Sequence, residues 1–404
     1  MGRPRVVVVG AGVAGLETLL ALRAAAGDRV EIVLLAPEAK FVNRSMAIDR
    51  PANAVRVPGL RIRQITEDLR VEWRRGALER VDPDGRVVFT SAGRELRYDR
   101  LVLAIGARPA PSASPFGVLT FRDADDLYEY RQVLRLIRAR RIERVTFVRP
   151  VGPSWPLVLY QLALATAAAC EGDVELSLVT PERAPLEIFG SPASDVVRRL
   201  LTEANIRTIT SNFGAPSRAA GRVHVSPAGS RIVDRVVTVP RIVGPRISGV
   251  PADRAGFIPT DAHGRVVGME DVFAAGDATS FPIKRGGLAA QQADAVAEAI
   301  AASLGVPIVP RSIRPVLRGL LVADGVAHYM RASISGDDSA VSESPLWWPP
   351  NRLSGRYLAP YLSARASGAV MFHDASQGRP SGSHDRITID GRPVLGELTD
   401  LSAR

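Results

Sequence analysis

Gly10, Gly12 and Gly15 give the spacing G-x-G-x-x-G directly after the apolar run VVVV, and an alanine- and leucine-rich stretch follows to Gly27. The first glycine allows a tight turn and the second lets a pyrophosphate approach the backbone. The third lets the following helix pack on the strand, with the helix N-terminus facing the phosphates. A lone match is weak, but this one follows a strand, opens a helix and precedes a second strand, VEIVLLAPE (30–38), at the expected distance, so a dinucleotide site is predicted. The acidic residue that would hold ribose hydroxyls falls near Ala36; Glu38, two residues on, is the candidate, with a solvent-facing loop residue as the alternative. Far along the chain, VFAAGDATSFPIKRGGLAAQQADAVAEAIAA (272–302) reads as a strand, Gly276–Asp277, a loop and a long helix starting near Gly287. Asp277 follows a glycine that permits close approach, and so suits a fixed hydrogen-bond acceptor for a ribityl chain. A helix N-terminus at Gly286–Gly287–Leu288 would place partial positive charge beside a flavin ring. Lys284 is one of two lysines, with Lys40, in a chain whose other basic side chains are arginine. An ammonium there would favour a reduced, anionic ring and could deliver a proton; a chance lysine is the alternative.

Two further stretches turn the dinucleotide into FAD. VEWRRGALERVDPDGRVVFTSAGRELRYD (71–99) reads as short strands with turns at Asp82–Gly85 and Ser91–Gly93, and YDRLVLAIGARP (98–109) as a buried strand ending at Gly106. Together with the N-terminal glycines and VFAAGDAT, these residues resemble the FAD-dependent pyridine nucleotide-disulfide oxidoreductase superfamily. Within it, the pattern is similar to the branch of type II NADH dehydrogenases and sulfide:quinone oxidoreductases, over roughly residues 5–305. Ile105 departs from the usual Thr. The resemblance implies bound FAD, with Gly10, Gly12 and Gly15 at its pyrophosphate and Gly276–Asp277 at its ribityl chain. Ala14, Ala77, Ala104, Gly106 and Gly287 complete the candidate contacts.

VEIVLLAPE recurs as VELSLVTPE (174–182), each copy preceded by an alanine-rich helix and a strand beginning with arginine, Arg5 or Arg144. Two copies of one strand–helix–strand unit imply two dinucleotide-type domains. In the superfamily the second takes NAD(P)H through its own glycine loop, but here that loop is RPVGPSWP (149–156). Pro150, Pro153 and Pro156 lack the N–H donors that would cradle a pyrophosphate, and Trp155 stands near the third glycine position. Conventional NAD(P)H binding is therefore not expected, although another approach route stays open. In sulfide:quinone oxidoreductases the corresponding loop carries a reactive cysteine, whereas Ser154 or Trp155 stands there in this chain. The single cysteine, Cys170, lies in a helical run and is expected to be a small buried apolar residue. No dithiol chemistry is available. Trp155 either lines a pocket for a planar substrate or plugs the vacated site.

These motifs need an α/β scaffold of two Rossmann-like dinucleotide-binding domains, the second inserted in the first, plus a C-terminal region. The expected division is 1–113 and 246–305 for the FAD domain, 114–245 for the degenerate NAD(P)-type domain, and 306–404 for the C-terminal region. Composition-based borders fall at Pro109–Phe116 and Pro240–Pro251. In the C-terminal region, Trp347, Trp348, Tyr357 and Tyr361 share residues 344–368 with Arg352, Arg356 and Arg365. That segment reads as an interfacial anchor admitting a quinone, or else as a homodimer contact or a cap on the flavin face. The tail from Asp374 is expected to be partly mobile.

With 404 residues and 46% hydrophobic composition the chain has the core of a soluble globular protein. Its net charge of +10 fits arginine spread over solvated faces, and no zinc-finger or RNA-binding motif supports a nucleic-acid partner. The five histidines, His224, His263, His328, His373 and His384, show no metal-ligand spacing and are expected at the surface or in loops. No metal site is expected. The partners expected are a small-molecule electron donor and a small, quinone-like acceptor. The expected place is the cytoplasm, with peripheral contact on the inner face of the cell membrane as the variant.

Overall fold

The computed structural model describes residues 2–42, 59–111, 117–170, 172, 174–216, 222–226, 229–334, 338–350, 352–366, 388–389 and 392–393. The chain opens with β1 (Arg5–Val9), α1 (Val13–Ala26) and β2 (Glu31–Leu35), then β3 (Glu72–Arg74) and β4 (Arg100–Leu103). It then leaves this unit for β5 (Val118–Thr120), α2 (Leu127–Arg138), β6 (Arg144–Val148), α3 (Leu157–Cys170) and β7 (Glu175–Val179). This second run closes with α4 (Ser191–Glu203), β8 (Ile206–Ile209) and β9 (Arg235–Thr238). The chain returns to the first unit as β10 (Val272–Ala274) and α5 (Gly286–Ser303). An antiparallel sheet follows, β11 (Val316–Ala323), β12 (Val326–Ser333) and β13 (Ser339–Ser342), and then α6 (Leu358–Ala366).

The first sheet has the order β10-β4-β1-β2-β3 and the second β5-β9-β6-β7-β8, with every neighbouring pair parallel. The first is a doubly wound 3-2-1-4-5 arrangement. Because β10 joins its edge after the whole second sheet has been laid down, the second unit is inserted in the first. The internal repeat is visible in the register, where Arg5 pairs with Glu31 and Arg144 with Glu175. The VVVV run of β1 is buried because both faces of the sheet are covered: Val6 and Val8 pack on α1 and α5, and Val7 and Val9 on Val81, Val88, Ile247 and Ile258 from non-helical segments. In this register Val9 lies level with both Leu35 and Leu103, so the turn at Gly10 opens over the C-terminal ends of three strands.

The C-terminal sheet lies against α3, and Leu317, Leu321 and Met330 share a core with Leu157 and Phe189. A Cβ on Gly319 would stand 2.5 Å from Phe189 Cζ and 2.8 Å from Leu157 Cδ1. Gly319→Ala is therefore expected to cost about 1–3 kcal/mol by overpacking, read as a lower denaturation midpoint. Two glutamines tie the sheet down. Gln161 on α3 donates to Val322 O (2.7 Å) and accepts from Val322 N (2.8 Å), and Gln291 on α5 does the same with Val316 (2.9 Å each way).

Residues 344–350 and 352–365 turn back onto the body of the protein. Trp347 is buried and packs edge-on against Tyr329 (5.0 Å between centroids), while Arg352, Leu353 and Tyr361 are buried too. The Glu17 carboxylate on α1 accepts Tyr357 N (2.7 Å) and Leu358 N (2.8 Å), which holds the start of α6 on the first unit. Of the segment's aromatics, Trp348 is the exposed one, at 57%. The segment thus has the geometry of a cap. Residues 351 and 367–368, the 112–116 part of the expected border, and the expected mobile tail apart from 388–389 and 392–393 lie outside the described residues. Among the described residues no helix is long and apolar enough to cross a membrane. Cys170 is buried, as expected. His328 corrects its expectation, because it lies within β12 and is buried, and burial lowers its pKa.

Candidate functional site

Two cavities meet where α1, α5 and the Gly276–Asp277 turn converge. The first is about 460 Å³ and the second about 500 Å³, and they share Ala11, Gly12, Val13, Glu38, Asp277 and Gly286 as walls. Nine of the sequence candidates line the first: Gly10, Gly12, Ala14, Glu38, Ala77, Ala104, Gly106, Gly276 and Asp277. Residues from four distant stretches of sequence are thereby brought to one chamber.

Its floor is backbone. Gly10 has φ +103°, donates its N–H to Leu35 O (2.9 Å), and would place a Cβ 2.4 Å from Ala104 O, so only glycine fits this turn. Gly12 differs in kind. Its φ of −78° suits any residue, and a Cβ there would meet nothing within 4 Å. The missing side chain leaves open space at the N-cap of α1, on the chamber side, where a pyrophosphate can reach the helix N-terminus. Gly276 (φ +81°) wedges between the first turns of α1 and α5, because its Cβ would lie 2.9 Å from Ala14 Cβ and 3.3 Å from Ala289 Cβ. Its N–H donates to the buried Gln292 Oε1 (2.6 Å), which fixes the turn. A glutamine on the otherwise alanine-rich buried face of α5 was the available signal for Gln292, and sequence reading missed it.

Two candidates sit elsewhere. Gly15 lies behind the chamber, where a Cβ would be 1.9 Å from Gly10 O, so it serves helix-on-turn packing rather than ligand contact. Gly287 faces Ser354, with a Cβ 2.5 Å from Ser354 Oγ, and Gly286 takes the cavity wall in its place. The cap formed by residues 352–358 explains the difference, since it covers one side of the α5 N-terminus.

Lys284 and Trp155 line the second cavity, not the first. Lys284 is 5% exposed; its ammonium donates to Thr279 O and lies 3.8 Å from the Phe257 ring centroid. Burial lowers its pKa to about 8, against the attraction of Asp277 and Asp253. Burial conversely raises the Asp277 carboxyl, and Lys284 opposes that rise. Trp155 packs edge-on against Phe189 (5.7 Å) with the Arg285 guanidinium 4.5 Å from its ring centroid. It forms part of the wall of the second cavity. Arg122, Arg285 and Arg352 also line this space; Arg285 and Arg122 were missed in the sequence because a basic residue in an arginine-rich chain carries no local signal.

The second unit treats the equivalent corner differently. Glu182 is the repeat counterpart of Glu38, yet Glu38 is exposed at the mouth of the first chamber and Glu182 is buried. Glu182 Oε2 accepts from Tyr160 OH (2.7 Å) and Thr180 Oγ1 (2.8 Å). Burial pushes the Glu182 carboxyl up, opposed by Arg149, and burial beside Glu182 pushes the Tyr160 hydroxyl up as well. The carboxylate that would face a ribose is thus engaged by its own domain.

Comparison with known proteins agrees with this geometry. Residues 4–302 match the model of the family described as pyridine nucleotide-disulphide oxidoreductase. An NADH dehydrogenase-like protein of Mycobacterium tuberculosis is 28% identical over 296 residues, covering 68% of this chain and 72% of that one. The ferredoxin reductase component of chlorobenzene dioxygenase from a Cupriavidus strain is 26% identical over 347 residues, covering 76% and 77%. The fold is shared with the sulfide:quinone oxidoreductase of Aquifex aeolicus, with a TM-score of 0.69 at 20% identity over 84% of this chain and 86% of that one. An open glycine at a helix N-terminus and a carboxylate beside the second helix are what FAD asks of a chain, and with the family match over both parallel sheets they place this one in the pyridine nucleotide-disulphide oxidoreductase family, as an FAD-dependent oxidoreductase.

Proposed function

We propose that electrons carried by FAD in the first chamber pass to a small, planar, quinone-like acceptor in the second. The observation that carries this reading is the shared wall: Gly12, Asp277 and Gly286 border both cavities, and the far side of the second is Trp155 rather than a thiol pair. Bound FAD supplies the two-electron chemistry. The chain's own residues bind and orient it. The N–H groups at Gly12 and the α1 N-terminus hold the pyrophosphate, Glu38 takes ribose hydroxyls, and Asp277 accepts from the ribityl chain. Ala77, Ala104 and Gly106 shape the walls, and Lys284 holds a proton at Nζ on the acceptor side. In this reading residues 1–113 and 246–305 form the FAD domain around the inserted 114–245, and residues from 306 on supply the cap. Peripheral membrane contact through 344–368 has Trp348 as its one exposed aromatic anchor.

The resemblance to an NADH dehydrogenase-like protein favours a second reading, in which NAD(P)H is the donor. Against conventional binding stand the proline loop and the engagement of Glu182 by Tyr160. Anaerobic titration of the FAD-loaded protein with NADH, NADPH and sulfide separates the readings. Saturable bleaching by a nicotinamide establishes the second reading. Bleaching by another donor, followed by reoxidation with quinone, supports the first. Failure of every donor and of quinone to exchange electrons with the bound FAD would make this a flavin-binding protein without catalysis.

A further inference from the structure

Glu17 on α1 has no exposed surface, and no step of the proposed function uses its carboxyl group. Its Oε1 accepts Tyr357 N (2.7 Å) and its Oε2 accepts Leu358 N (2.8 Å), and Arg356 N donates to it as well. A Cβ on Gly355 would stand 2.5 Å from Glu17 Oε2, so the backbone of the cap lies flush on the carboxyl. Asp294 on α5 hydrogen-bonds to Glu17, and its Oδ1 is shut off from solvent with no hydrogen-bond partner. Two acids from two helices and the start of a third thus meet at one point.

A hydrogen bond between two carboxyl groups needs a proton on one of them, and two like charges at that distance are costly. Burial raises both acids above the ordinary carboxyl range. At Glu17 the cap N–H groups and Asp294 oppose the rise, whereas at Asp294 the Glu17 charge adds to it and Arg356 opposes. The proton therefore resides on Asp294, and Glu17 keeps the negative charge that the N-terminus of α6 attracts. The other charged groups facing the pair are Arg356 from the cap, Glu298 on α5 and Arg311 from the segment after α5. Arg311 and Arg356 both pair with Glu298, and the Tyr357 phenol acts on Arg311. On α6, Tyr361 and Arg365 are engaged by Asp68 instead.

We propose that Glu17 and Asp294 share one proton and with it strap the cap onto α1 and α5, so that the cap loosens when that proton is lost. The strap goes beyond the electron-transfer reading and does not depend on what the chambers hold. Its consequence bears on the second chamber, because the cap residues Arg352 and Leu353 form part of that wall and Ser354 covers Gly287. The sign follows from the raised carboxyls. The strap is fully present below the ordinary carboxyl range and is lost as pH rises through the raised value of the pair.

The test is hydrogen exchange of the FAD-loaded protein, read by mass spectrometry on peptides from 355–366 and corrected for intrinsic rates, in steps from about pH 5 to pH 9. An opening that releases one proton predicts that protection of these amides is level at low pH and then falls about 10-fold per pH unit. Peptides from the middle of α5 should stay level. Asp294→Asn keeps a donor toward Glu17 and removes the titration, so its cap should be protected equally at every pH. The contrast between cap and α5 peptides in the parent stands even if the variant does not fold. Cap protection independent of pH in the parent, a fall shared by the α5 peptides, or the same fall in Asp294→Asn overturns the proposal. Each of these results leaves the proposed function standing, and failure of every donor and acceptor in the titrations above leaves the strap standing.

Discussion

Gly12→Val should yield a protein that folds like the parent and does not hold FAD. The φ of −78° at Gly12 costs a valine nothing, and a Cβ there meets no atom within 4 Å, so the apo-protein should keep its unfolding midpoint. The new side chain instead occupies the space through which a pyrophosphate reaches the α1 N-terminus. Loss of those charge-assisted contacts, at about 1.5–3 kcal/mol each, predicts at least a 100-fold weaker FAD affinity, measured by equilibrium dialysis. The neighbouring glycines give the control. At Gly10 and Gly15 a Cβ would lie 2.4 Å and 1.9 Å from backbone oxygens, so alanine at either should disrupt the fold itself. Unchanged FAD affinity in a folded Gly12→Val protein would contradict the assigned site.

Lys284→Met should slow transfer to the acceptor and remove a limb of its pH profile. The assay mixes dithionite-reduced, FAD-loaded protein anaerobically with a neutral short-chain quinone and follows the return of flavin absorbance. Quinone takes two electrons and two protons to become quinol, and under the proposed function the Lys284 ammonium is the donor of one of those protons to a quinone oxygen. Loss of a positioned general acid predicts a drop of about 100-fold. With a pKa of about 8, the ammonium is present below pH 8 and lost above it, so the parent rate should be level at low pH and fall through pH 8. Lys284→Met should be slow at every pH. Lys284→Arg keeps charge without a titration in this range; a recovered rate with no limb would assign Lys284 an electrostatic role in place of proton donation. The variant's stability is also informative. The folded pKa lies below the unfolded value, so between about pH 10.5 and pH 8 the unfolded chain binds a proton that the fold does not, and stability falls as pH falls through that window. The methionine variant lacks this penalty and should be no less stable than the parent at pH 7.

The parts legible in the sequence are those set by local chain geometry. The glycine turn at Gly10–Gly12, the Gly276–Asp277 turn and the duplicated strand–helix–strand pattern each encode a backbone shape, and backbone shape fixes both the inserted topology and nine walls of the first chamber. That Gly287 faces Ser354 could not be read from sequence, because Ser354 is 67 positions away and arrives only through the return of the C-terminal cap. Arg285 and Arg122 were not separable from some fifty other basic residues, since what distinguishes them is their place on the wall of the second cavity, which the fold alone assembles. The repeat pointed at Glu182 as readily as at Glu38, but the Tyr160 hydroxyl that engages Glu182 comes from the preceding helix, α3. Which of two equivalent carboxylates stays open to a ligand is decided by packing.

The most direct test of the account is the quinone dependence of the reoxidation rate, measured side by side for the parent and Trp155→Ala. The account predicts a rate that saturates with quinone concentration in the parent, with half-saturation shifted well upward in Trp155→Ala while FAD stays bound. A rate that rises linearly without saturation and is the same in both proteins would mean that quinone meets the flavin by collision, and that the second chamber is not its site.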